Sequence, residues 1–176
     1  MEDSASRRLD PDIPSHLGAW STPGFVLWHA THAWQQEVAR VLAPFGLTHA
    51  QLTTLGTIWW LRRETGTAPS QRDIAAHSAI TDVLASQVIR SLEQRGLVAR
   101  DTDKLDTRIR RLSLTEAGSE LTREAMTALD AADRAYFAHL DVSPADLIRI
   151  LNQIAGRDAD GRLITRNIPQ PRTETP

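Results

Sequence analysis

Gln87 and Arg90, three residues apart, and Asp106 and Arg108, two apart, carry the most specific chemistry in this 176-residue sequence. A glutamine amide matches the donor and acceptor on adenine N6 and N7, and an arginine fork matches guanine edges or phosphate oxygens. Val83 and Leu84 in the same stretch suit thymine methyls, and Ser86 adds a hydroxyl. Lys104, Arg110 and Arg111 lie around the Asp106–Arg108 pair as candidate phosphate contacts. Taken alone, these groups also fit a solvated helix face and an exposed hairpin with a surface ion pair worth about 0–1 kcal/mol. The elements that carry them decide between the two.

Thr81 is a helix cap, and Ala85, Val88, Ile89 and Leu92 recur at helical spacing to anchor one face of a helix over residues 81–95. That leaves Asp82, Val83, Leu84, Ser86, Gln87 and Arg90 outward. Gly96 supplies a left-handed stop. Residues 97–100 and 109–114 read as two strands joined by a polar tip at 101–108, with Leu112 and Leu114 facing inward. Thr115 caps a further helix, and Gly118 allows close packing there. A helix followed directly by a basic hairpin is the layout of a winged DNA reader.

Upstream, Thr22 and Pro23 open a first helix that runs to Pro44, Phe45 and Gly46, with apolar residues around much of its girth. Such a helix needs more than one partner. Thr48 and Gln51 form a capping box for a second helix to about Arg62, and residues 64–69 form a loop. Ser70 and Asp73 cap a short third helix with Ile74, Ala75 and Ala76 inward. Helices three and four, joined by about four residues, fit a helix-turn-helix. A long helix follows to about Leu140, and Ser143 and Pro144 start a last one over 145–155. Residues 1–20 form a flexible extension in which Trp20 alone merits burial, 21–156 a single domain with its nucleic-acid-binding core at about 48–115, and 157–176 a disordered tail.

The residues Asp106, Arg108, Leu114, Thr115 and Gly118 stand at the fixed positions of a pattern of Asp-x-Arg, five residues, Leu-Thr, two residues, Gly. This resembles the wing signature of the MarR family of transcriptional regulators. The run from Ser91 to Arg100 is similar to the family's passage from recognition helix into wing, and the resemblance covers roughly residues 23–155. It implies a mainly α fold with a small β-wing: a winged helix-turn-helix domain plus N- and C-terminal dimerisation helices. It further implies a homodimeric repressor on double-stranded DNA with a near-palindromic operator. Helix 81–95 would enter the major groove and wing 97–114 the minor groove, where Arg108 inserts and Asp106 keeps the wing in shape. Narrow A·T-rich grooves attract such an arginine.

Family members often release DNA on binding small aromatic or phenolic ligands between the dimerisation helices and the reading domain. Trp28, His29, His32, Trp59 and Trp60 are the candidates for such a site, an aromatic wall with imidazoles suited to a planar and even anionic effector. Packing within the core and dimer is the plainer role for each. His29 and His32 also have the spacing of two metal ligands, but a lone pair is weak evidence and no metal or cofactor is expected.

Composition narrows the field further. With no cysteine, disulfides, thiolate metal sites and thiol switches are excluded. The net charge is −2, and residues 70–111 hold +2 against −4 elsewhere, an asymmetry too mild to imply DNA without the wing. Nucleotide-binding and hydrolase motifs are absent, so catalysis is not expected. With no apolar leader at the N-terminus and no long apolar run, the expected location is the cytoplasm. The rival reading is a winged-helix protein–protein interaction module without specific DNA binding. It would not require Arg108, Gln87 or Arg90.

Overall fold

The computed structural model describes residues 22–78, 80–103 and 106–158. The expected N-terminal extension, Trp20, Lys104 and nearly all of the expected tail lie outside the described residues. The elements run in the order α1 (Pro23–Leu42), a 3₁₀ turn (Ala43–Phe45), α2 (His49–Thr65), α3 (Gln71–Ser78), α4 (Asp82–Gln94), β1 (Val98–Thr102), β2 (Arg110–Leu114), α5 (Glu116–Phe137) and α6 (Pro144–Ala155). Among the described residues, no helix is long and apolar enough to cross a membrane.

The chain divides into two compact units, one ending at Asp133 and the other beginning at Arg134. In the first, each helix begins where a side chain meets an orphan amide. Thr22 accepts from the Phe25 amide at 3.4 Å, and Thr81 from the Leu84 amide at 3.3 Å. Thr48 and Gln51 bond reciprocally, at 3.2 and 2.9 Å, and Ser70 and Asp73 do the same at 3.3 and 2.8 Å. These boundaries agree with the sequence reading. Helix α2 runs three residues past Arg62, because Gly66 (φ 70°) is the first residue able to take the left-handed stop. Ala76, expected inward, is exposed, since a helix as short as α3 buries only Ile74 and Ala75.

Leu42, Leu55, Ile58, Ile74, Ile89, Leu92 and Leu112 form the centre of the core, each fully buried. They come from α1, α2, α3, α4 and β2, so one apolar cluster joins the helix-turn-helix to the wing. The strands pair antiparallel with Val98 opposite Leu114 and Thr102 opposite Arg110, extending β1 two residues beyond the expected Arg100. Leu112 is buried and Leu114 packs partly buried against the core. The Leu112 amide donates to the Pro69 carbonyl at 2.8 Å, seating the second strand against the chain that enters α3.

The junction between wing and α5 is the tightest place in the fold. The Thr115 amide donates to the Leu97 carbonyl at 3.1 Å, the Thr115 hydroxyl donates to the Gly96 carbonyl at 2.8 Å, and it accepts from the Gly118 amide at 3.0 Å. A Cβ on Gly118 would lie 2.0 Å from the Leu97 carbonyl oxygen. Only glycine permits this approach.

In the second unit, α5 finishes at Phe137, three residues before the expected Leu140, as the Ala138 and Leu140 amides turn back to the Ala135 and Phe137 carbonyls. Ser143 caps α6, accepting from the Asp146 amide at 3.1 Å. Helix α6 buries nothing within this unit and exposes Ile148, Ile150, Leu151 and Ile154.

Gly118→Ala is expected to destabilise the fold by at least about 1–3 kcal/mol, the cost of forcing a methyl against fixed backbone. Urea unfolding at fixed protein concentration measures it, and an unchanged midpoint would contradict the close approach.

Candidate nucleic-acid interface

Helix α4 is positioned by what it buries. Ala85, Val88, Ile89 and Leu92 are 0–7% exposed, whereas Val83 is 69% exposed and Leu84 39%. Gln87 and Arg90 are exposed and Ser86 half-buried. Val83, Ser86, Gln87 and Arg90 follow helical spacing, so they form one stripe opposite the anchored face. Two polar pins hold the C-terminal half of the helix. The Gln51 side-chain amide donates to the Ser91 hydroxyl at 3.1 Å, and Arg95 donates to the Gly46 carbonyl at 2.9 Å. Arg100 on β1 reaches back to Glu93 with two bonds of 2.7 and 3.1 Å, tying helix to wing. Arg95 and Glu93 were not singled out from the sequence, because their partners are distant in the chain or across an element boundary.

At the wing tip, the Asp106 carboxylate accepts from the Arg108 backbone amide at 3.0 Å and from its guanidinium at 3.0 and 2.9 Å. The Asp106 amide in turn donates to Asp103 at 3.0 Å. Asp106 thus organises the turn while the Arg108 side chain stays 89% exposed. The guanidinium and then the amide of Arg108 hold the Asp106 carboxyl below the usual carboxylate range. A depressed carboxyl contributes order above its ordinary value near about 4 and loses it as pH falls through the lower folded value, so the pair stays charged at neutral pH.

Arg111, expected to meet phosphate, is engaged inside the protein. Its guanidinium donates to Asp103 at 2.6 Å and to the Ala68 carbonyl at 3.2 Å, and lies 3.9 Å from Asp73. With its side chain 26% exposed and that of Asp103 14%, it is a pin at the wing root. Arg110 is exposed and bonds the Thr102 hydroxyl across the strand pair.

The five aromatic and imidazole candidates for a ligand site do not come together. Trp28 stacks on His32 (5.9 Å, 5°) and meets His29 edge-on, all on one exposed stretch of α1. Trp59 lies under the Arg63 guanidinium at 5.4 Å. Trp60 alone of the five lines a cleft of about 440 Å³ between α2, the end of α3 and α5. His77 stacks on Trp60 at 4.6 Å, and His49, Met126 and Asp133 contribute further walls. Burial pushes the His49 imidazole toward its neutral form, against the opposing charge of Asp133. Trp34 braces two of these groups: its indole donates to Asp133 at 2.9 Å and meets His49 edge-on. No spacing rule in the sequence links α3 to α5, so this cleft could not be read there.

The family model described as the ArnR1-like winged-helix domain matches residues 43–131. The HTH-type transcriptional regulator YdcH of Bacillus subtilis is 36% identical over 121 residues, 69% of this chain and 82% of its own length. A MarR-family transcriptional regulator of Rhodococcus sp. RHA1 superposes with a TM-score of 0.63 at 25% identity, covering 80% of this chain and 94% of that one. This chain belongs to the MarR family of winged helix-turn-helix transcriptional regulators. BpsR of Bordetella bronchiseptica, whose DNA binding is regulated by 6-hydroxynicotinic acid, superposes with a TM-score of 0.70 at 25% identity over 82% of this chain and 99% of its own. As a MarR-family member, the chain is a DNA-binding transcription regulator, with α3 and α4 as its helix-turn-helix and β1–β2 as its wing.

Arg111→Ala is expected to cost about 1–3 kcal/mol in urea unfolding by removing the guanidinium that bonds the Asp103 carboxylate and the Ala68 carbonyl. The salt slope of DNA binding should stay unchanged, whereas a phosphate contact would lower it by about one.

Proposed function

We propose that a homodimer of this chain represses transcription by binding a near-palindromic operator, with α4 in the major groove and the wing in the minor groove. The observation that carries the reading is the outward stripe Val83, Ser86, Gln87, Arg90 on a helix whose opposite face is fully anchored. Gln87 and Arg90 supply the base-reading groups, Val83 and Leu84 the thymine contacts, and Arg110 a phosphate contact. Arg108, held at the tip by Asp106, suits a narrow minor groove. The exposed apolar faces of α1 and α6 supply surface for dimerisation, and two half-sites one DNA turn apart would match the twofold. Release by a small aromatic effector is supported by the regulation of BpsR by 6-hydroxynicotinic acid and by the aromatic wall of the cleft.

Selection from a random duplex pool, followed by fluorescence anisotropy at two salt concentrations, tests the reading. A twofold-related motif bound tightly and in a salt-sensitive way is expected, and equal weak binding to selected and scrambled duplexes would favour a protein-docking winged helix. Arg108→Ala should weaken binding and reduce the salt slope by about one. Gln87→Ala should relax base preference at one position per half-site, with a penalty of about 1–3 kcal/mol for the preferred base. Uniform loss over all sequences would remove Gln87 from direct readout.

A further inference from the structure

Helix α4 carries two acids, Asp82 in its first turn and Glu93 near its end. Glu93 is engaged by Arg100 through two bonds. Asp82 is exposed, and among the described residues no hydrogen bond or ion pair reaches its carboxylate. The cap that an acid often supplies at a helix start is taken here by Thr81, whose hydroxyl accepts from the Leu84 amide. Asp73 at the start of α3, by contrast, accepts from Ser70, and Asp146 at the start of α6 accepts from Ser143 and Arg149. Asp82 lies on the i, i+4 ridge that continues through Ser86 to Arg90, beside the ridge of Val83 and Gln87. Arg90 is eight residues on, about 12 Å along the axis, too far to pair with it.

We propose that Asp82 is a specificity-determining residue of the nucleic-acid interface, accepting from the N4 amine of one cytosine in each half-site. The N-terminal residues of a helix lying in the major groove are those that meet base edges. Cytosine presents an amine donor there, and a carboxylate accepts without donating, so the two match. Guanine and thymine present acceptors at the same edge, and adenine sets its amine beside the N7 acceptor, so each opposes the carboxylate in whole or in part. The same charge works against misplaced docking. In a wrong register it meets phosphate with no amine to compensate, which penalises sequence-independent binding. The inference rests on the major-groove reading above and adds a base position that the neutral and cationic groups of the stripe do not specify. An acid in the first turn also favours the helix through its dipole, but that role is blind to base sequence.

Selection from a random duplex pool with the full chain and with Asp82→Ala, followed by anisotropy on selected and scrambled duplexes, tests it. Asp82 is exposed and Thr81 holds the cap, so the variant should fold, and urea unfolding checks this. The wild-type motif should hold one C·G pair per half-site that the variant no longer selects, with the other positions kept. Replacing that pair in the selected duplex should weaken the wild type about tenfold and the variant less than about twofold. The variant should bind the scrambled duplex as tightly as the wild type or tighter. Asp82→Asn keeps the shape and adds N–H donors, and should admit adenine at the same position. A lowered urea midpoint with base preference unchanged would make Asp82 a helix-start residue only. Equal gains on both duplexes would make it a phosphate-repelling charge only, and either result overturns the proposal. Loss of selection at a pair other than C·G overturns it too. If the wild type selects no motif, the DNA reading and this inference fall together, whereas a motif left intact in both variants overturns this inference alone.

Discussion

Burial of Ala85, Val88, Ile89 and Leu92 sets the rotation of α4 about its own axis, and the reading surface depends on that rotation. Successive residues of a helix are separated by about 100°, so a slip of one position would swing the whole stripe of Val83, Ser86, Gln87 and Arg90 from its outward direction. The apolar anchor resists this because each side chain occupies a close-packed site among Leu55, Ile58, Ile74 and Leu112, and a rotated helix would leave voids and clashes together. The polar pins from Gln51 and Arg95 add to this anchor over the C-terminal half of the helix.

The wing divides its charges between holding and reaching. Arg111 is bound by Asp103 and the Ala68 carbonyl at the root, where partial burial makes such bonds worth keeping. Among the described residues Arg108 is bound by Asp106 alone, in an exposed turn where solvent weakens the pair. The same residue types therefore meet different surroundings according to their distance from the core. Beneath both, the contact of Gly118 with the Leu97 carbonyl keeps strand and helix at a spacing that no side chain would allow.

The cleft shows how a shared scaffold acquires individual chemistry. Helices α2 and α5 serve the core and the cleft together, since Leu52 and Thr57 are buried while Trp60 and Met126 are exposed. Asp130 and Asp133 are among the cleft's described lining residues, and the Trp34 indole holds Asp133. Its connection to the reading head through Trp60, His77, Thr57 and Ser78 is short and packed.

Local chemistry was legible in the sequence. The caps at Thr22, Thr48, Ser70, Thr81, Thr115 and Ser143, the stop at Gly96 and the buried face of α4 all depend on residues within a few positions of one another. The Asp106–Arg108 turn and the family motif are equally local, which is why the wing could be located without coordinates. Tertiary structure alone decided what depended on distant partners. It separated Trp28, His29, His32 and Trp59 from Trp60, because residues on neighbouring turns of helices need not face one cavity. It turned Arg111 inward, since Asp103 and the Ala68 carbonyl approach it only once the strands pair and β2 meets the entry to α3. It brought His77 of α3 and Asp133 of α5 to one cleft across more than fifty residues of chain, a juxtaposition set by packing and carrying no signature in sequence spacing.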